Sequence, residues 1–203
     1  MDRSRSLAVA VLAAGTLAVA ACGSLAAPTG PGAGGVSPAA SASRPASSSA
    51  AAGSCSLSAV KLSLDGAAAG VAAGSSFVPL EFANVSASPC MLPSYPGVTF
   101  ASGAGGPVIG LPAVQQDTTL AQTVVLAPGQ LAHSWLQIVS PANYPAPRCH
   151  PVTAQGLLVS LTSSGPATFV ADPGPACAQP PPGSAVLSVF PVRAGQAQRG
   201  TLP

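Results

Sequence analysis

Residues 76–84 read Ser-Phe-Val-Pro-Leu-Glu-Phe-Ala-Asn, and the fold turns on how this stretch is read. Ser76, Val78, Leu80 and Phe82 share one face and Glu81 falls on the solvent side, the period of two expected of a half-buried β-strand. Pro79 has no N–H for a ladder bond, so it predicts an edge or bulged strand. Upstream, residues 58–64 place Val60, Leu62 and Leu64 together, and Asp65-Gly66 then closes the strand with a turn dipeptide. Residues 67–74, rich in Ala and Gly, read as a loop. Downstream, strand-like pieces recur at 97–101, 107–111, 123–126, 131–139, 157–162, 167–171 and 185–192. Gly103–Gly106 reads as a hairpin loop, and Pro128-Gly129 suits the centre of a type II turn, where Gly accepts a positive φ. The pattern predicts an all-β fold, an antiparallel, immunoglobulin-like β-sandwich of seven to nine short strands over residues 55–192.

Outside that span the texture changes. Residues 193–203 lack an apolar pattern and are expected to form a flexible tail. Between 23 and 54 every residue except Leu25, Val36 and Arg44 is Ala, Ser, Gly, Pro or Thr. Such a segment buries too little apolar surface to offset its ordering entropy, so residues 22–54 are expected to be a disordered tether, spanning roughly 30 Å as a coil. The N-terminus carries Arg3 and Arg5, then an uncharged apolar run over residues 7–21. Fifteen residues suit a signal peptide and are short for a membrane span. The run ends Val19-Ala20-Ala21-Cys22, with small residues before the Cys and an aliphatic one at the third position. That pattern predicts a lipoprotein signal peptide over 1–21, cut between Ala21 and Cys22, with Cys22 lipidated. An ordinary secretory peptide is the competing reading. The expected partner is then the membrane, through the lipid anchor at Cys22, on the outer face of the cytoplasmic membrane.

Composition removes several function classes. The chain has 203 residues, only 6% of them charged, and a net charge of +2. No basic patch could cover phosphates, so no nucleic acid partner is expected. Gly and Pro, 22 and 23 residues, interrupt long helices almost everywhere.

Apart from Cys22 there are four cysteines, an even number that implies two disulfides in an exported domain. Three connectivities are possible. Cys55–Cys90 with Cys149–Cys177 is favoured because each pair closes a sequence-local loop, worth about 3–4 kcal/mol on a loop-entropy basis. Zinc at Cys149-His150 with His133 is disfavoured, since adjacent strand residues point to opposite faces and Cys-x-x-Cys is absent.

No catalytic or cofactor motif is found, and no enzyme is expected. His133 shares a face with Trp135 and reads as a hydrogen-bonded strand histidine. His150, between Cys149 and Pro151, reads as a loop residue. Asp65 and Asp172 are accounted for by turns, the latter in Asp172-Pro-Gly-Pro175, and Asp117 by a polar loop tip. Asn84, in Asn84-Val-Ser86, reads as a turn cap. Trp135 reads chiefly as a core anchor. Tyr95 and Tyr144, each before a Pro, complete with Trp135 the set of candidate contact residues.

Three landmarks carry a family resemblance: Gly70-Val-Ala-Ala-Gly-Ser-Ser-Phe-Val-Pro-Leu-Glu-Phe-Ala-Asn84 with Ser88-Pro-Cys90-Met-Leu-Pro-Ser-Tyr95-Pro-Gly-Val98, then Leu126-Ala-Pro128-Gly129-Gln-Leu-Ala132-His-Ser-Trp135-Leu, then Cys149-His-Pro-Val-Thr-Ala. Over roughly residues 55–192 the chain resembles an actinobacterial family of secreted and lipoprotein domains, domain of unknown function 4232. Ser94 departs from that pattern, where Gly more often precedes Tyr-Pro. The resemblance implies export, often with a lipid anchor and a tether, and transfers no catalytic or binding residue. The functional expectation is an envelope-anchored lipoprotein whose sandwich binds an envelope protein or a cell-wall component. A purely structural envelope protein is the second reading. A hydrolase drawing on His133, His150, Asp117 and Glu81 is the third.

Overall fold

The computed structural model describes residues 52–162 and 165–203. The predicted signal peptide, the cleavage site at Ala21, Cys22 and the tether up to residue 51 lie outside the described residues. Fourteen strands are found among the described residues. The first seven are β1 (Gly53–Ser54), β2 (Val60–Leu64), β3 (Gly70–Ala72), β4 (Ser75–Asn84), β5 (Cys90–Leu92), β6 (Gly97–Ala101) and β7 (Val108–Ile109). The others are β8 (Val114–Gln115), β9 (Val124–Leu126), β10 (Leu131–Val139), β11 (Pro151–Ser160), β12 (Ala167–Cys177), β13 (Leu187–Val189) and β14 (Arg193–Ala194). One four-residue helix, α1 (Ala146–Cys149), stands between β10 and β11.

A seven-stranded sheet in the order β2-β4-β10-β13-β8, with β3 beside β4 and β14 beside β10, faces a four-stranded sheet, β12-β11-β6-β7. A small β1-β5-β9 sheet completes the shell. All pairings are antiparallel except β1 with β5 and β13 with β8. The all-β, sandwich-like prediction therefore holds, with more and shorter strands than expected. The core lies between the sheets: Leu80, Phe82 and Leu136 from the large one meet Val98, Leu157 and Val159 from the other, and each is at most 2% exposed. The alternation read in residues 76–84 supplies the central row of that core. Both expected disulfides are present, Cys55–Cys90 and Cys149–Cys177.

Four local expectations change. Pro79 lies in an interior strand, because β4 pairs with β10 along its whole length. The Asp65 N–H donates to the Pro79 carbonyl, so the side of Pro79 that lacks a donor faces the point where β2 ends and the β3 pairing has yet to begin. The ladder loses nothing there. The loop expected at 67–74 contains β3, which turns into β4 through Ala73 (φ 47°) and Gly74 (φ 74°), both positive as a two-residue primed turn requires. The end of the expected tether, Gly53–Ser54, pairs with Cys90 and Met91. Residues 193–203, expected as a flexible tail, begin with β14 against β10 and continue to Ala197 and Leu202, which pack against Trp135.

The expected turns at Asp65, Asn84 and Pro128-Gly129 are found. The Asp65 carboxylate accepts from the N–H of Ala67 and Ala68. Asn84 is 1% exposed; its amide donates to the Ser88 and Leu126 carbonyls and its oxygen accepts from Ser86 N–H. Gly129 has φ 75°, and Gln130 N–H closes the turn on the Ala127 carbonyl.

Candidate functional site

The residues singled out from sequence are largely absorbed into the framework. Trp135 is 7% exposed, in a cluster with Ala68 and Ala197, and its ring meets His133 edge-on with centroids 6.5 Å apart. The Tyr95 hydroxyl donates to the Gln116 carbonyl at 2.8 Å, and its ring packs on the main core. Burial, then the Asp117 charge, push the Tyr95 phenol above its ordinary range, while Arg193 pulls it down. Tyr144 packs against the Cys149–Cys177 bridge and Val186. The three aromatic candidates thus hold loops and strands together and do not form a common surface patch.

The polar candidates are also committed locally. His133 Nδ1 donates to the Gly195 carbonyl at 2.8 Å. His150 has φ 47° at the end of α1, with Nε2 bonded to the Pro147 carbonyl at 2.9 Å. Asp117, at φ 52°, begins a short 3-10 turn and accepts from the Thr119 hydroxyl. Glu81 differs from expectation: it is half-buried opposite His133 and Ser63, and its Oε1 is buried without a hydrogen-bond partner among the described residues.

Asp172 differs most. Its Asp-Pro-Gly-Pro run lies inside β12 and forms no turn. The register passes from Ala154↔Gly174 to Gly156↔Ala171, so two residues, Asp172 and Pro173, oppose the single Gln155. This is a β-bulge on the edge strand of its sheet, a position where proline is tolerated and where a bulge re-aims side chains. Gly156 makes the close approach possible: a Cβ there would collide with the Val170 carbonyl oxygen and lie 2.8 Å from Cζ of Phe169.

The bulge lines a cleft of about 260 Å³ at one end of the sandwich. Val78 of β4 and Ile138 of β10 continue the inner face of the large sheet into it, and Phe100 of β6 and Pro141 complete the apolar wall. Ser76, Ser140 and the Asp172–Pro175 run supply its polar and backbone surface. Desolvation by burial raises the Asp172 carboxyl above the usual carboxylate value. Among the described residues no donor reaches that carboxylate, and no basic side chain lines the cleft. A concave apolar site with one perturbed acid and two hydroxyls is the arrangement in which small-ligand sites are built. The local dipeptides hid Asp172, because Asp-Pro and Pro-Gly-Pro are turn signals. The one usable signal was the apolar alternation of β4, which placed Val78 on the inner face.

Residues 55–193 match the model of a protein family described as a domain of unknown function (DUF4232). No curated protein and no solved structure matches the chain.

Proposed function

The chain belongs to the DUF4232 family, a description that assigns no chemistry, and we propose that it is an envelope-anchored lipoprotein whose β-sandwich is a binding module without catalytic activity. The observation that carries the binding role is the cleft at Asp172, where an ionisable group is held partly out of water without a partner. A purely structural domain gains nothing from that arrangement, since an unpaired, desolvated carboxylate opposes folding. Anchoring rests on the Val19-Ala20-Ala21-Cys22 sequence after an apolar run, followed by a tether able to lift the domain from the headgroups. The two disulfides suit an oxidising compartment.

A photo-crosslinking residue at Val78, introduced in the full chain in its native host, tests the binding role. A discrete adduct that is absent with the same probe at exposed Ser56 is the expected result. Equal, diffuse labelling from both positions overturns it. Cys22→Ala tests the anchor: the protein is expected in the soluble fraction or as an unprocessed precursor, and unchanged membrane fractionation overturns lipidation.

A further inference from the structure

Resting on that reading, we propose that the cleft takes a small organic cation, a protonated amine carried on an apolar body, with Asp172 as its counter-ion. Among the described residues Asp172 is the sole titratable one lining the cleft, so the charge of an anionic ligand is repelled there. A neutral apolar ligand displaces water from the carboxylate and returns nothing to it, which is unfavourable for a charge. An ammonium group both neutralises the carboxylate and donates hydrogen bonds to its two oxygens. Burial already holds the Asp172 carboxyl above its ordinary value, so an arriving cation recovers an interaction that the protein alone lacks.

The remaining walls suit the rest of such a molecule. Val78 and Ile138 from the facing sheet, with Phe100 from the sheet of the bulge, present apolar surface to the cleft. The Ser140 hydroxyl accepts from Ala142 N–H and keeps its own proton free to donate. Ser76 and Ser140 also border a second, more open hollow of about 410 Å³ that runs along the β3–β4 hairpin to Val71, itself 81% exposed. The two spaces share those serines in their walls, so the hollow toward Val71 lies beside the cleft that holds Asp172. The acid sits on a bulge that requires Gly156 and loses stability by its desolvation, so local folding preferences do not explain the geometry.

The test uses the 15N-labelled full chain in non-ionic detergent, titrated with cyclohexylammonium, cyclohexanol and cyclohexanecarboxylate. Saturable amide shifts at Ser76, Ser140 and Gly174 are expected with cyclohexylammonium, at least tenfold tighter than with cyclohexanol and absent with the carboxylate. Asp172→Asn is expected to abolish the preference for the cation, with cyclohexanol bound at least as tightly as by the parent and the amide signals away from the cleft unchanged. Equal affinities for cation and alcohol, retention of the preference in Asp172→Asn, or no saturable shift with any probe overturns the cation assignment. The binding role stands or falls separately, on the cellular adduct from Val78.

Discussion

Two faces of one strand pair, β4 and β10, are treated in opposite ways. On the outer face Phe77 and Trp135 are covered by the chain itself: Ala197 and Leu202 close over them, and His133 holds the Gly195 carbonyl. Leu202 lies so close over Gly70 that a Cβ there would be 3.0 Å from its methyl group. On the inner face the row that begins with buried Leu80 and Phe82 runs outward to half-buried Val78 and exposed Ser76, and among the described residues nothing closes over that end. Instead an edge-strand bulge brings a lone carboxylate to it. Apolar surface is hidden on the outer face and left open beside an acid on the inner one, the arrangement on which the proposed binding role rests.

The sharpest way to break this contrast is Trp135→Ala, which removes the anchor of the covered face. A loss of about 3–5 kcal/mol is expected in denaturant unfolding, as for other buried large aromatics. A loss below about 1 kcal/mol would show that the outer face carries no real core. Next is the bridge Cys149–Cys177, 28 residues apart, which pins the end of β12 just beyond the bulge. Replacing both cysteines with Ala should cost about 3–4 kcal/mol by loop entropy and broaden the amide signals of Asp172 and Gly174. Sharp, unshifted signals would mean that the bulge is held by β11 alone.

Ending the chain after Gly195 is a milder lesion. Removing Ala197 and Leu202 should cost about 1–2 kcal/mol of buried apolar surface and move Trp135 fluorescence to the red. An unchanged emission maximum would show that the C-terminus does not cover the ring. The smallest effect has the opposite sign. Asp172→Asn should stabilise the fold at neutral pH by about 0.5 kcal/mol, the usual direction when a desolvated, unpaired charge is removed. The sign follows from proton linkage. Burial raises the folded-state pKa of Asp172 above its unfolded value, so the folded chain holds the proton more tightly. The stabilisation it contributes is complete below the unfolded pKa and is lost as pH rises through the raised folded value. The variant and the parent should therefore diverge as pH increases across that window, and a constant difference across it would contradict the desolvation of Asp172.

Much of this architecture was legible in the sequence for a simple reason: alternation is local. Val60, Leu62, Leu80 and Phe82 announce their faces through neighbours two residues away, and the fold class follows. The disulfide pairing was favoured among three because each pair closes a sequence-local loop, and the structure bears it out. The site was harder to read. Asp172 is surrounded by residues that favour a turn, and only pairing with β11 draws them into a strand. Trp135 looked like a contact residue in part because its cover, Ala197 and Leu202, comes from a segment without an apolar pattern of its own.

Taken alone, the sequence determined an all-β domain over residues 55–192, its central core row and the Asx and type II turns, all consequences of period, spacing and side-chain chemistry within a few residues, and it favoured one of three pairings of the four cysteines. Tertiary structure decided which strand lies at an edge, which aromatic is covered and where the acid of the cleft stands. Each of those depends on residues far apart in the chain meeting in space: Leu202 over Gly70, Pro79 at the junction of β2 and β3, and Asp172 across from Gln155. Local preference cannot encode such meetings, because their free energy arises only when distant segments desolvate one another.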